Sequence, residues 1–430
     1  MLSPKLLFSK VTQIEPSEIK GAILSFLFIF VLMASYMIVK PVRDALPSDW
    51  GDVSLAQQWT YTFIVATIAV SIYNLFASRI SLRKLVPGVF VFFAFTFFGL
   101  YAAFKAGVEP TFLGKIFYVW SSVFSLFHIS VFWSFVSQQY SKAQSKRIFG
   151  FINTGASVGS IAGPALILWL ASKMSVENIL LVTSGALILT LPLIAALNRN
   201  FDKQSESKPL PNKLSPNPFS GFEEFIKHKR LIGIASFIFL FTGISAFLYS
   251  SQVGLLVDFS SAERKQMLAT MELASNILTI IIGIFITNRI STKFGMPTTL
   301  SLVPFVVGGL LLILSANPAI VLVLALQVVR RAGNYAITRP AREILYTAVD
   351  REARFKTKPI IDVAIYRGGD VVWIWIIALL GDLWLNLGVP AILCVGAGVA
   401  IIWGFVGIYL GRKHEREASD EDEPKEAVSS

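Results

Sequence analysis

Cysteine and histidine are scarce in this sequence. Cys394 is the only cysteine, and the three histidines, His128, His228 and His414, lie far apart along the chain. A single cysteine excludes an intramolecular disulfide, and no group of residues has the spacing of a structural zinc site. The sequence also lacks a phosphate-binding glycine loop and a serine elbow between glycines. We therefore expect no metal, no organic cofactor, no catalytic residues and no enzyme activity.

Charge is scarce as well. Charged residues make up 15% of the 430 positions and hydrophobic residues 54%, with a mean hydropathy of +0.65, whereas a soluble domain carries about 25% charged residues. Apolar runs of about 20 residues follow one another, and each is long enough to cross a bilayer as a helix. The alternating segments of a membrane barrel are absent. The first run lacks a cleavage site, so we expect it to remain as the first span.

This pattern predicts an all-α integral membrane protein with about twelve transmembrane helices in two six-helix bundles. The spans are predicted at residues 20–43, 56–78, 85–105, 112–140, 147–172, 177–198, 230–256, 267–288, 297–315, 319–340, 361–386 and 390–411.

The short connections between spans differ in charge on the two sides of the membrane. On one side three connections hold basic residues and no acid; on the other, Glu109, Glu177 and Asp382 occur. The positive-inside rule therefore predicts that both termini are cytoplasmic, in a multi-pass plasma (bacterial inner) membrane protein. The basic connections contain Arg79, Arg83 and Lys84, then Lys142, Lys146 and Arg147, then Arg289 and Lys293.

The longest polar stretch, residues 199–229, predicts a cytoplasmic linker between two bundles, 1–198 and 230–411. The acidic tail, 412–430, is expected to be disordered. The loop Ser78–Arg83 recurs as Asn288–Lys293, after the second span of each half. A parallel repeat of six spans resembles the plan of the major facilitator superfamily, whose members are usually monomers.

Two adjacent arginines, Arg330 and Arg331, fall within the tenth span. A charge at mid-bilayer costs about 2.5–3.5 kcal/mol unless it faces water or a partner. Adjacent helical residues point about 100° apart, so the two cannot both face one partner. Either at least one binds an anion in a central cavity, or it forms a salt bridge to an acid such as Asp370 or Glu272.

Further charged residues lie near the ends of spans one and eleven. Lys40 and Arg43 are three residues apart and share a helix face. They form an anion site, or they extend to the lipid headgroups. Arg367 and Asp370 have the spacing of an ion pair on one face of span eleven.

Glycines recur every four residues in span five, at Gly155, Gly159 and Gly163. Such spacing lets another helix approach closely. With Gly150 and Pro164 it also resembles the antiporter motif of the major facilitator superfamily. Helix packing and a role in exchange are both open interpretations.

Three stretches resemble one known family. They are Lys40–Leu46, Ser145–Gly150, and the segment from Arg331 through Arg342 and Glu343 to Lys358 and Asp362. Together they resemble the ATP/ADP translocase family of plastids and intracellular bacteria, a branch of the major facilitator superfamily. The resemblance matches Arg43, the Arg342–Glu343 pair, Lys358 and Asp362 to residues of that family. Gln144 stands where the family has an acid, and Asp370 where it has a lysine, so the charge of the site differs.

These observations predict a secondary transporter working by alternating access, as an antiporter of a nucleotide or another phosphorylated or anionic solute. Its partners are the lipid bilayer and that solute, and no nucleic acid. A proton-coupled transporter of a non-nucleotide metabolite or amphiphile is the alternative, and a non-transporting membrane protein a remote one. The candidate residues fall into three groups. Substrate binding is assigned to Lys40, Arg43, Arg330, Arg331, Asn334 and Arg367; gating or coupling to Asp44, Glu272, Asp362 and Asp370; and stacking to Trp133, Tyr249, Tyr335 and Tyr366.

Overall fold

The computed structural model describes residues 14–77, 79–170, 174–202, 225, 229–346, 349, 357 and 361–422. Every regular element within these ranges is helical. The helices are α1 (Ile19–Ala45), α2 (Gly51–Ala77), α3 (Leu82–Lys105), α4 (Pro110–Ser137), α5 (Lys142–Leu170), α6 (Val176–Asp202), α7 (Lys229–Leu255), α8 (Ser261–Phe285), α9 (Thr287–Ala316), α10 (Ile320–Leu345), α11 (Tyr366–Ala378) and α12 (Val389–Asp422).

Eleven of these helices are long and apolar enough to cross a membrane, counted over the described part of the chain. The remaining one, α11, lies between two π-helical turns, Ile361–Ile365 and Leu379–Leu383, and occupies the predicted eleventh span. The all-α, multi-pass membrane fold predicted from hydropathy is therefore confirmed.

The helix α2 shows how the surface meets lipid. Ile64, Ile68 and Ile72 are 48%, 54% and 50% exposed and lie four residues apart, on one face of the helix. Soluble proteins rarely expose a continuous apolar face of this kind. This face is therefore suited to contact with the lipid of a bilayer.

The chain forms two compact units. The described residues of the first come from Met1–Pro47, Thr60–Lys213 and Phe259–Leu273. Those of the second come from Ser48–Trp59, Leu214–Asp258 and Ala274–Ser430. The first therefore contains the start of α8, and the second contains the start of α2.

The two units use one packing scheme, shifted by six helices. In the first, α1 packs on α4, α5 and α6, and α3 packs on α4 and α6. In the second, α7 packs on α10, α11 and α12, and α9 packs on α10 and α12. This is the six-helix repeat that the recurring loop sequence predicts.

The glycines of α5 face α1 at close range. A Cβ atom added at Gly155 would lie 2.7 Å from the carbonyl oxygen of Phe26, and one at Gly159 would lie 2.5 Å from that of Phe30. At Gly163 the corresponding distance, to the carbonyl oxygen of Ala34, is 2.8 Å. Helix packing accounts for this glycine spacing.

Two helix ends differ from the sequence-based boundaries. The helix α6 continues to Asp202, so the predicted linker begins later, and its residues 203–224 and 226–228 lie outside the described ranges. The helix α12 continues to Asp422, so the expectation of a disordered tail from Arg412 is wrong for residues 412–422. Residues 423–430 lie outside the description. Two contacts hold the extension of α12: Arg230 pairs with Glu417, and the backbone N–H of Met296 donates to Oε1 of Glu415 at 2.7 Å.

Gly295 interrupts α9 with a φ of +74°. Residues with a Cβ rarely adopt this left-handed conformation, which costs them about 1–2 kcal/mol. The carboxylate of Glu415 also lies where a Cβ on Gly295 would point. The break separates the first two turns of α9, which contain Arg289 and Lys293, from its apolar span, and Glu415 of α12 lies beside it.

We expect Gly295→Ala to lower the free energy of unfolding by about 1–2 kcal/mol, because the alanine must adopt a left-handed conformation that is unfavourable for a residue with a Cβ. Thermal unfolding of the purified protein in detergent measures the change. Gly309→Ala is the matched control, since it lies in the same helix with no atom within 4 Å of its added Cβ. Equal melting temperatures for the two variants would contradict the prediction.

Candidate functional site

Arg330 is buried in the second unit, on the face of α10 that packs against α7. Val323, Leu326, Gln327 and Arg330 are the buried residues of that face, spaced three and four apart as a helix requires. Only 6% of Arg330 is exposed. The apolar positions of α10 therefore place a guanidinium group inside a helix bundle.

The guanidinium is held by neutral groups. Its Nε and Nη2 atoms donate to Oε1 of Gln327 at 3.2 and 2.7 Å, and Nη1 donates to Oγ of Ser245 at 2.7 Å. The ring of Phe241 lies 5.7 Å away. Within the described residues no carboxylate lies at salt-bridge distance from Arg330. Glu272 pairs with Lys40, and Asp370 pairs with Arg367 while also lying near enough to Arg330 to interact with it electrostatically. Arg330 therefore forms no direct salt bridge with the described residues, and of the two acids named above Asp370 acts on it at longer range.

Three of the five N–H donors of Arg330 are used by these bonds, which leaves one on each terminal nitrogen. Two such donors suit a bidentate contact with a carboxylate or phosphate. The site is thus a buried positive charge with donors still available.

A second amide extends this cluster. Nε2 of Gln327 donates to Oε1 of Gln252 at 3.1 Å, and both side chains are fully buried. Nε2 of Gln252 has no hydrogen-bond partner in the described structure. The sequence interpretation missed Gln252, Gln327 and Ser245, although an amide within an apolar span was a signal that it had available.

The start of α11 adds the second charged pair of this unit. Arg367 and Asp370 lie 3.7 Å apart, both partly buried, as their spacing predicts. The ring of Tyr366 packs on Phe241, with ring centres 6.0 Å apart. Tyr366 thus lies beside the Arg330 cluster, and Tyr335, a second predicted stacking residue, also interacts with Arg330 electrostatically.

In the first unit each predicted cation has an acid beside it. Lys40 Nζ lies 2.8 Å from Oε2 of Glu272, and Arg43 Nη2 lies 2.6 Å from Oδ1 of Asp44. Arg43 also donates to Oγ of Ser122 at 3.3 Å. The two cations thus belong to ion pairs within the protein and do not extend to headgroups.

The remaining candidates lie in varied surroundings. Asn334 is buried in a π-helical turn, Asn334–Thr338, and Arg331 is half-buried. Tyr335 is 52% exposed beside the Arg339 guanidinium, and Tyr249 packs on Trp59 with ring centres 5.5 Å apart.

Two further candidates complete the comparison with the sequence. Trp133 packs on Phe132 and Phe149 in the core of the first unit, so the structure does not bring it to the Arg330 cluster or to the ion pairs of Lys40 and Arg43. The side chain of Asp362 lies outside the description. No three His, Cys, Asp or Glu side chains in the described ranges group as a metal site.

Comparisons with known proteins agree on the fold. The family model described as Major Facilitator Superfamily matches residues 22–341. A bacterial homolog to the human lysosomal transporter Spinster has a similar structure, with a TM-score of 0.60, 13% identity, and coverage of 94% of this chain and 98% of that one. The nucleoside transporter NupG gives a TM-score of 0.65, 14% identity, and coverage of 92% and 98%. No curated protein sequence matches the chain.

Proposed function

The chain belongs to the Major Facilitator Superfamily and is a membrane transporter, and we propose that it carries a small anionic solute by alternating access. The observation that supports this substrate class is Arg330. It is a buried guanidinium held by Gln327 and Ser245, with no carboxylate at salt-bridge distance among the described residues, and with two donors remaining. A buried positive charge is costly unless a counter-ion compensates it. The substrate is the counter-ion that we propose.

We further propose that transport is antiport of a nucleotide or another phosphorylated solute. When no solute is bound, the change between the two access states is unfavourable, because the unpaired positive charge of the site passes through the low-dielectric middle of the membrane. A bound anion compensates this charge and removes the cost. Arginine contacts phosphate through paired, charge-assisted hydrogen bonds. Phe241 and Tyr366 offer rings beside the guanidinium on which a base can stack.

Arg43, Lys40, Arg331, Asn334 and Arg367 complete the proposed binding set. In the structure Lys40 and Arg43 lie against Glu272 and Asp44, so these acids serve the proposed gating role by exchanging places with the solute. Both termini are proposed to be cytoplasmic, in the plasma (bacterial inner) membrane, and the protein to act as a monomer.

A proton-coupled transporter is the second candidate, and the Arg367–Asp370 pair favours it. The 3.7 Å separation leaves the carboxylate of Asp370 loosely held and partly buried, as a proton-carrying acid requires. NupG, whose fold this chain shares, is described as a nucleoside transporter. A transport rate that follows a proton gradient and is lost in Asp370→Asn selects this candidate, whereas a rate that needs only solute on the opposite side selects antiport.

Thermal unfolding of the purified protein with ATP, ADP, sugar phosphates and inorganic phosphate tests the proposal. A ligand at one hundred times its Kd stabilises the folded state by about 2.7 kcal/mol, and we expect Arg330→Gln to abolish that shift. Arg339→Gln is the matched control, because Arg339 lies on the same helix with an exposed side chain and should keep the shift. The absence of any shift with folded wild-type protein, or an equal shift in Arg330→Gln, would overturn the anionic-solute proposal.

A further inference from the structure

Arg330 fixes the direction of the hydrogen bonds in the amide cluster beside it. An arginine side chain only donates, so the atom of Gln327 that faces Arg330 must be its carbonyl oxygen. The amide nitrogen of Gln327 then faces Gln252, which must present its own oxygen at 3.1 Å. The assignment of oxygen and nitrogen in both amides therefore follows from the charge of Arg330.

This direction leaves a donor at the far end of the cluster. Nε2 of Gln252 carries two N–H groups, is buried, and has no partner within the described residues. A buried amide nitrogen without an acceptor costs about 1–3 kcal/mol. An acceptor supplied by a ligand removes that cost.

Gln327 also holds Arg330 without neutralising it. One oxygen atom accepts from both Nε and Nη2, which orients the planar group while its charge remains. A carboxylate at this position would make the same two bonds and cancel the charge. The structure thus shows a neutral acceptor where an acid of nearly the same size would fit.

Resting on the proposed function, we propose that Gln327 is the positioning residue for Arg330 and that Gln252 is a second recognition point for the same solute. Two hydrogen bonds, of 2.7 and 3.1 Å, link Nη2 of Arg330 to Gln252 through the amide of Gln327. The substrate class is therefore an organic phosphate whose body carries a hydrogen-bond acceptor separated from its anionic group by the width of this amide chain, as a nucleotide does. A bare inorganic anion reaches only Arg330.

The ratio of the Kd for inorganic phosphate to the Kd for AMP tests the role of Gln252. We expect wild-type protein to bind AMP more tightly than inorganic phosphate, and Gln252→Met to reduce this ratio of Kd values about tenfold. Gln138→Met is the control, since Gln138 is exposed at the end of α4. If Gln252→Met keeps the wild-type ratio while anions still bind, the second recognition point is wrong and the proposed function stands. If the wild-type protein binds neither anion, the proposed function itself fails.

Gln327→Glu tests the positioning role. We expect the affinity for AMP and for inorganic phosphate to fall about a hundredfold, while the melting temperature without ligand stays equal or rises, because an ion pair with Arg330 replaces an amide contact. A merely structural role for Gln327 would lower the unliganded melting temperature and leave the affinity of the folded fraction unchanged. Should Gln327→Glu not fold, Gln327→Met serves instead, with a loss of affinity expected for both anions. Wild-type affinity in either folded variant would overturn the role.

Discussion

Gly159→Ala is expected to destabilise the protein strongly. The added Cβ would lie 2.5 Å from the carbonyl oxygen of Phe30 and 3.0 Å from Cβ of Met33, so α1 and α5 must move apart. Overpacking of this kind costs about 1–3 kcal/mol. The gain in helix propensity from glycine to alanine is about 1 kcal/mol at most. We therefore expect a clearly lower melting temperature, measured by thermal unfolding in detergent.

Gly150→Ala provides the control for this experiment within the same helix. No atom lies within 4 Å of a Cβ built there, so only the propensity term remains and the melting temperature should stay equal or rise. If Gly159→Ala and Gly150→Ala have the same melting temperature, below that of the wild type, neither helix propensity nor the contact between α1 and α5 explains the result. The close approach of α1 and α5 would then not depend on Gly159.

The sequence predicts the membrane helices well, because a single span in lipid can satisfy its backbone N–H and C=O groups only by forming a helix. Hydropathy alone therefore locates α1 to α10 and α12, and the apolar content of residues 361–386 locates α11 between its two π-helical turns. It does not predict that α12 continues to Asp422, since those residues are charged and resemble a solvated tail. Contacts with Arg230 and Met296, distant in sequence, accompany this extension.

The site is predicted less completely than the fold. A charge within an apolar run is visible in the sequence, and this predicts Arg330 as a site residue. Its partners cannot be predicted in this way, because hydropathy does not tell which polar side chains of different helices face one another. Gln327 and Gln252 are 75 residues apart, and Lys40 and Glu272 are 232 apart. The packing of α10 on α7 brings the first pair together, and the second pair joins α1 to the start of α8 within the first unit.

Removing the acid of the Lys40–Glu272 pair is expected to have the largest electrostatic effect on stability. The two side chains are 16% and 4% exposed and lie 2.8 Å apart, so Glu272→Gln leaves a partly buried lysine without this counter-ion. Breaking a buried pair in this way costs about 3–5 kcal/mol. Thermal unfolding of Glu272→Gln, Lys40→Gln and the double variant gives the coupling between the two residues, separately from their other contacts.

Glu177→Gln is the matched control for this cycle. It removes the same acid from the pair with Lys105, whose side chains are 50% and 25% exposed and 3.5 Å apart. Exposed pairs contribute about 0–1 kcal/mol, so Glu177→Gln should change stability little. If the coupling free energy between Lys40 and Glu272 is no larger than the change in stability caused by Glu177→Gln, burial does not strengthen this pair. A larger coupling means that a solute competing for Lys40 must compensate Glu272 at the same time, as the proposed gating role of this acid requires.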